Sequence, residues 1–424
     1  MKTRAVYIAG AHRAVLTENE LPPLGPREVL MKVAASSMCY STYKAYSLGA
    51  AHKRVPDDVS ENPVMTGHEF SGEIAEVGSG LTDHYQVGQR IVIQPAMGLP
   101  SGYSPGYSYP TYGGDATYTI VPEIAIDKGA ILPYEGTYMA NGCLAEPLMC
   151  IIGAFHASYH TTQYVYEHEM GIKRGGALAL LGAAGPMGLA AIEYALSGPY
   201  QPGLIVVTDI DQSRLERAQQ LLPPELLEGT GRRLVYLNTA DCEDAVGLLR
   251  SQTPHAAGFD DIMVFAASRP LLEMADRLKG WDCCLNFFAG PTDREFSATF
   301  NFYDVHYESA HVVGTSGGAR SDMLEALRMT AQGKLNPSLM ITHVGGLDAV
   351  AHTLEHFKEI PGGKKLFYPW VTMPLVALAD LHTHAAQDRR YAALADIVKA
   401  NNGLWCQEAE VFLLRHFSRP AGPD

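Results

Sequence analysis

The chain of 424 residues contains no run of 18 apolar residues, and its opening Met1-Lys2-Thr3-Arg4 leads straight into an amphipathic segment. Neither a membrane span nor a signal peptide is expected from such a beginning. A basic run is also missing. The formal net charge is −14, so a nucleic acid, which needs a cationic patch to hold its phosphates, is not an expected partner. Cysteine is sparse, at seven residues, and lacks the paired spacing of a disulfide scaffold. Reduced thiols and a cytoplasmic address follow as expectations. Internal repeats and low-complexity segments are absent. What remains, 47% hydrophobic and 18% charged residues, is ordinary for a soluble globular chain, and its length favours two domains over one core.

Two rhythms divide the sequence. Segments 5–8, 28–33, 72–77, 87–93 and 116–121 are short, rich in β-branched residues and punctuated by Gly and Pro. They predict a mostly β, barrel-like domain. Residues 94–115, rich in Gly, Pro, Tyr and Ser, predict a long loop with little regular structure. From about residue 175 continuous apolar strands, at 177–181, 204–209, 234–237, 262–265, 284–288 and 311–314, alternate with helical stretches. That is the pattern of a doubly wound, Rossmann-type parallel sheet covered on both faces. The expected fold is therefore α/β with a second, β-rich domain. Its first part is 1–165, the nucleotide-type domain is 166–315, and 316–424 returns to the β domain with a helical extension and a Pro-Gly-rich tail.

Cys39, Gly67-His68-Glu69 and Glu146-Pro147 supply a thiol, an imidazole and carboxylates. Zn²⁺ accepts all three donor types, and a catalytic zinc keeps three protein ligands and one open position. Cys39, His68 and Glu146 would be those ligands, with Glu69 either a fourth or a group behind the metal. Each residue alone has a plainer reading: a lone His is commonly a hydrogen-bonded side chain, and a lone Cys a small apolar one. Their order along the chain, followed by a nucleotide-type turn, carries the assignment.

That turn is Gly182, Gly185, Pro186, Met187 and Gly188, after an apolar strand and before a helix. Glycine admits a pyrophosphate close to the backbone, and the helix N-terminus offers free N–H groups. Asp209 ends the next strand, where a carboxylate accepts ribose hydroxyls of NAD and repels the extra phosphate of NADP. Arg214 could soften that repulsion. The plain alternative makes Asp209 a helix cap.

With these segments the chain resembles the zinc-dependent medium-chain dehydrogenase/reductase family over roughly residues 1–370. The segments that carry the resemblance are Cys39-Tyr40-Ser41, Gly67-His68-Glu69 and Glu146-Pro147. Residues 39–44, 314–318, 333–336, 360–366 and 401–406 look like its L-sorbose-1-phosphate reductase branch. The resemblance implies a GroES-like catalytic domain, one catalytic zinc and hydride exchange between a nicotinamide cofactor, NAD in preference to NADP, and a polyol or ketose phosphate. It also implies a homodimer or homotetramer, for which the open edge at 311–314 offers a surface. Ser41 would hydrogen-bond the reacting oxygen. Lys44 stands where many members carry a proton-relaying His, and would relay the proton or bind a substrate phosphate; it reads equally as a solvated surface lysine. Thr42 replaces a common Asp. Loop 94–115 has no cysteine, so no structural zinc is expected. His52, Lys53 and Arg54 form a small basic cluster that reads equally as cationic contacts for a sugar phosphate or as a solvated loop. His306 is read as a buried structural residue in preference to a substrate contact. Competing readings are a polyol dehydrogenase acting on free sugars, a zinc-free quinone reductase and a non-catalytic nucleotide-binding relative.

Overall fold

In the computed structural model, which describes residues 1–418, the chain forms two compact units. One comprises Met1–Glu146 with Asn336–Asp424 and the other Pro147–Leu335. The divisions fall inside the helix Ala145–Ala157 and just after the helix Arg320–Ala331, where the sequence reading put them at 165/166 and 315/316. The Pro-Gly-rich tail at 419–424 lies outside the described residues.

The first unit is built on the long strand Val29–Met38, which pairs antiparallel with Glu69–Val77, Tyr118–Val121 and Lys364–Tyr368. Beyond these neighbours the sheet continues through Ile341–Gly346 to Val376–Ala377 on one side and through Arg90–Ile93 to Ile131–Pro133 on the other. The ladder does not close on itself among the described residues. Alternation explains the core: Val29, Met31 and Val33 pack with Phe70, Ile74, Ile91 and Ile93, whereas Leu30 packs with Leu21 and Ile120. The register slips between Val33 and Ala35. Such a bulge re-aims the strand beyond it, and that stretch ends at Cys39. No helix or strand lies between Ile93 and Tyr118. This loop is pinned instead by Tyr107 and Tyr112, both fully buried. The helices Arg390–Ala400 and Gln407–His416 complete the unit.

The second unit holds a six-stranded parallel sheet in the order Arg233–Asn238, Leu204–Asp209, Ala177–Leu181, Phe259–Val264, Lys279–Phe287, His311–Gly314. Both Ala177–Leu181 and Leu204–Asp209 are buried at every position, as a sheet covered on both faces requires. Strand order reverses between Ala177–Leu181 and Phe259–Val264, the switch point at which such sheets bind ligands. The sixth strand alternates between half-buried and exposed residues. Among the described residues no helix is long and apolar enough to cross a membrane.

Candidate active site

Three strand ends converge in the first unit. Ser37 pairs with Glu69, and Lys365 with Met38, so the segments carrying Cys39, Glu69 and Lys364 meet at one edge. Cys39 then caps the helix Tyr40–Leu48, which carries Ser41, Thr42 and Lys44. Gly67 supplies the turn before His68 with a φ of +86°, and a Cβ there would come within 2.5 Å of the Asp115 amide nitrogen. The buried Asp115 carboxyl accepts the hydroxyls of Ser36 and Thr66, each at 2.8 Å, and burial pushes its pKa up.

The donor atoms of Cys39, His68 and Glu69 all lie within 4.8 Å of one another. The carboxylate in that set is Glu69 rather than Glu146. Glu69 has other partners, however: one oxygen meets the Lys364 ammonium and the other accepts the Ser37 hydroxyl. Burial works against its charge, but Lys364, His68 and Ser37 outweigh it and hold the carboxyl below its usual range. Lys364 is buried too, and Glu69, Cys39 and Glu146 keep its ammonium charged against that burial. For Glu146 burial dominates, reinforced by Glu69 and Cys39, and its carboxyl is pushed up to about 7. Burial lowers the pKa of His68, which favours the neutral, ligating imidazole. Its Nδ1 lies 3.3 Å from the Thr42 hydroxyl and its Nε2 3.4 Å from those of Ser41 and Tyr107. Tyr107 donates to Ser41 at 2.8 Å.

This donor set suits a divalent cation. The thiol, the imidazole and the Glu69 carboxylate lie together, the Glu146 carboxyl interacts with them electrostatically, and the neighbouring Lys364 is engaged by Glu69. A divalent ion would balance a Cys39 thiolate and a Glu146 carboxylate, leaving His68 as the neutral third ligand. A second group of close donors, His352, Glu355 and His356, is largely solvent-exposed, and His356 pairs with Glu359 at 2.9 Å.

The nucleotide-type turn lies in the second unit. Gly182 has a φ of +67°. Gly185 has open space where a Cβ would stand and caps the helix Pro186–Ser197, with Pro186 at its first position and Met187 following. At Gly188 a Cβ would lie 1.9 Å from the Ala183 carbonyl oxygen, so glycine is required where helix and turn pack together. An anionic ligand fits this open helix N-terminus. Asp209 is buried at the end of its strand, and its carboxylate accepts the N–H groups of Ala184, Ile210 and Asp211 at 2.9–3.1 Å. The following helix is capped by Asp211. Arg214 pairs with Asp211 at 3.5 Å.

Sequence reasoning missed Tyr107, Lys364 and Ser37. A lysine heading the apolar run Leu366-Phe367-Tyr368 was a usable signal for Lys364, since a cation buried in a sheet needs an anion beside it. Nothing local marked Tyr107 among its neighbouring tyrosines. His306 is exposed on a short helix, not buried as its sequence context suggested.

A sulfur, imidazole and carboxylate cluster on one unit and a glycine turn on a parallel sheet in the other define a metal-dependent dehydrogenase. Residues 25–129 match the alcohol dehydrogenase GroES-like domain. Over 416 residues, covering 98% of both chains, the protein is 55% identical to mannitol-1-phosphate 5-dehydrogenase from Aliivibrio fischeri. It is 41% identical over 415 residues, again 98% of both, to L-sorbose 1-phosphate reductase from Klebsiella pneumoniae. The crystal structure of 2R,3R-butanediol dehydrogenase from Bacillus subtilis shares the fold with a TM-score of 0.71 at 22% identity, over 87% of this chain and 99% of that one. The chain belongs to the zinc-dependent medium-chain dehydrogenase/reductase family.

Proposed function

We propose that the protein interconverts a polyol phosphate and a ketose phosphate, with NAD(H) as the preferred cofactor and one zinc held by Cys39, His68 and Glu146. The observation that carries this reading is the gathering of the Cys39, His68 and Glu69 donors within 4.8 Å of one another. Because Glu69 is engaged by Lys364, the third ligand is assigned to Glu146, whose carboxyl interacts electrostatically with the other three. A zinc-free reductase has no use for such a cluster, and neither has a nucleotide-binding relative without chemistry. The names of the two relatives, one acting on mannitol 1-phosphate and the other on L-sorbose 1-phosphate, support the substrate class.

A zinc ion at this position supplies Lewis acidity toward the reacting oxygen. The chain's own residues do the rest. Because Tyr107 donates to the Ser41 oxygen, the Ser41 proton is free to point toward a substrate hydroxyl and to pass along that contact. Thr42 orients His68 through its outer nitrogen, and Lys364 holds Glu69. Asp209 has acceptor capacity beyond the N–H groups it already receives, which supports a ribose contact and hence NAD. Lys44 is half-buried, with its ammonium 5.1 Å from the Tyr40 ring centroid. Burial lowers its pKa, Cys39 opposes that and Lys53 adds to it. It would relay a proton or contact a substrate phosphate. A cytoplasmic address and a homodimer or homotetramer, paired through the sixth strand, belong to the same reading.

The test is a panel of hexitols and ketoses, free and phosphorylated, assayed with NAD(H) and NADP(H). A phosphate held by one cation gains a charge-assisted bond worth roughly 1.5–3 kcal/mol, or about 10- to 150-fold in kcat/KM. Equal rates on free and phosphorylated sugars would leave a general polyol dehydrogenase in its place.

A further inference from the structure

From sequence the loop that follows the Cys39 helix reads equally as cationic contacts for a sugar phosphate or as solvated surface; the structure folds its His52 and Arg54 against Tyr107. The His52 ring stacks on the Tyr107 ring at 5.6 Å with an interplanar angle of 9°. The Arg54 guanidinium carbon lies 5.2 Å from the same ring's centroid. The other end of Tyr107 reaches the metal donors, with its hydroxyl 2.8 Å from Ser41 and 3.4 Å from His68. One tyrosine side chain therefore stands between the donor cluster and the Arg54 guanidinium with its neighbouring His52 ring.

The loop is built to hold this arrangement. Ser108 donates to the Arg54 carbonyl at 2.6 Å, and the Arg54 N–H donates to His52 Nδ1 at 3.3 Å. With Nδ1 an acceptor, the neutral ring carries its proton on Nε2 and offers it as a donor. His52 and Arg54 are half-buried and Lys53 is exposed, so the group is open to a ligand. Asp57 and Asp58 follow in the chain, yet among the described residues no carboxylate lies within ion-pair distance of Lys53 or Arg54. Burial and the neighbouring Arg54, Lys53 and Lys44 drive the His52 pKa down to about 4. The ring therefore stays neutral among these cations. In a chain with a net charge of −14, Lys53 and Arg54, which have no carboxylate at ion-pair distance, call for an anion from outside.

We infer that His52, Lys53 and Arg54, with Lys44 at the margin, form the subsite that holds the phosphate monoester of the substrate, while Tyr107 spaces that phosphate from the reacting carbon. This rests on the sugar-phosphate reading above and adds the residues that would make the phosphate matter. Arginine suits the role because its planar fork binds two phosphate oxygens at once. Its position over Tyr107 orients that fork before a ligand arrives.

The experiment compares wild type, Arg54→Gln and Lys53→Ala as zinc-loaded enzymes. Lys53 is exposed, so its variant folds even if loss of Arg54 disturbs the Tyr107 loop. Two quantities are read: the ratio of kcat/KM for a hexitol phosphate to that for the free hexitol, and the binding of inorganic phosphate by titration calorimetry. The inference expects each variant to lose about tenfold or more of the ratio, the scale of one charge-assisted contact, and to bind inorganic phosphate more weakly than wild type. If wild type prefers the ester and both variants keep that preference, the subsite is wrong while the sugar-phosphate reading stands. If wild type shows no ester preference, that reading fails and the calorimetry decides alone. Phosphate binding lost in both variants then supports the anion subsite, and binding unchanged by either substitution overturns it.

Discussion

Lys364 and Glu69 form an ion pair with water almost wholly excluded: their side chains keep 5% and 0% of their exposure. Glu69 heads one strand and Lys364 another, with the end of Val29–Met38 between them. The pair therefore ties three strands together at the site. Removing one partner of a buried pair strands the other charge, at a cost of about 3–5 kcal/mol. Lys364→Met should lower stability by that order in urea titrations. The double variant Lys364→Met/Glu69→Gln should recover much of the loss. A single variant as stable as wild type would show that the pair is not buried in solution.

Elemental analysis should find one zinc per chain. The cysteine-free loop at 94–115 offers no thiolate cage for a second, and the His352 group is too exposed to retain one through dialysis. Cys39→Ser should reduce the content well below one. Two zincs per wild-type chain would contradict the loop reading, and full activity after chelation would remove the zinc from the mechanism.

Asp209→Ala should narrow the gap between NAD(H) and NADP(H), seen as a change in cofactor KM. It should also lower Tm, because three backbone N–H groups lose their acceptor and each such bond contributes about 0.5–1.5 kcal/mol. A wild-type preference for NADPH of about tenfold, or ~1.4 kcal/mol, would mean that the carboxylate serves the turn alone.

Glu410 couples stability to pH. Its buried carboxyl accepts the N–H groups of Met139 and Ala140 and the Tyr368 hydroxyl at 2.7–2.9 Å. Burial outweighs these contacts and raises its pKa from 4.5 to about 7. The folded state therefore holds the proton more tightly than the unfolded one. The resulting stabilisation is complete below the unfolded pKa of 4.5 and is lost as pH rises through about 7. It is on the order of 3 kcal/mol. Glu410→Gln should flatten the difference between urea midpoints at about pH 5 and about pH 8. An unchanged slope would assign the dependence to other groups.

Light scattering at micromolar concentration should give a dimer or a larger closed assembly. The sixth strand leaves its outer edge unpaired among the described residues, and Val312 on it is 50% exposed. Open edges of this kind invite pairing, and an added charge blunts them. Val312→Asp should therefore shift the population toward monomer. A wild-type monomer would remove the edge as an interface.

The parallel sheet was legible because its central strands, such as Ala177–Leu181 and Leu204–Asp209, are buried on both faces. Runs such as 204–209 are continuous apolar stretches that need no long-range information. In the β unit the segments at 5–8, 28–33, 72–77, 87–93 and 116–121 were legible, whereas the strand Ala14–Glu20 and the helix Tyr40–Leu48 were not. The strands Ile341–Gly346 and Lys364–Tyr368 return from far along the chain, and their pairing with Val29–Met38 leaves no local trace. The site divides in the same way. Cys39, His68 and Glu69 stand out by residue type and spacing, and the structure brings them together. Lys364 and Tyr107 reach them through non-local pairing and through a loop without periodicity. Asp209 shows a different limit. Its position at a strand end was readable, but its bonds to the glycine turn depend on how two segments pack. The helix cap lies two residues further on, at Asp211.

The contact of Glu410 with Met139 and Ala140 also sets an order of events during synthesis. These two amides open the helix Met139–Cys143, which leads directly to Glu146. The group that anchors them leaves the ribosome only after the whole of Pro147–Leu335. At ~5–20 residues per second the interval is on the order of tens of seconds. The sheet of the second unit can form within that time, while the segment leading to Glu146 still lacks its anchor. The nascent chain thus has the means to fold its nucleotide-type unit before the segment that carries Glu146 is fully anchored.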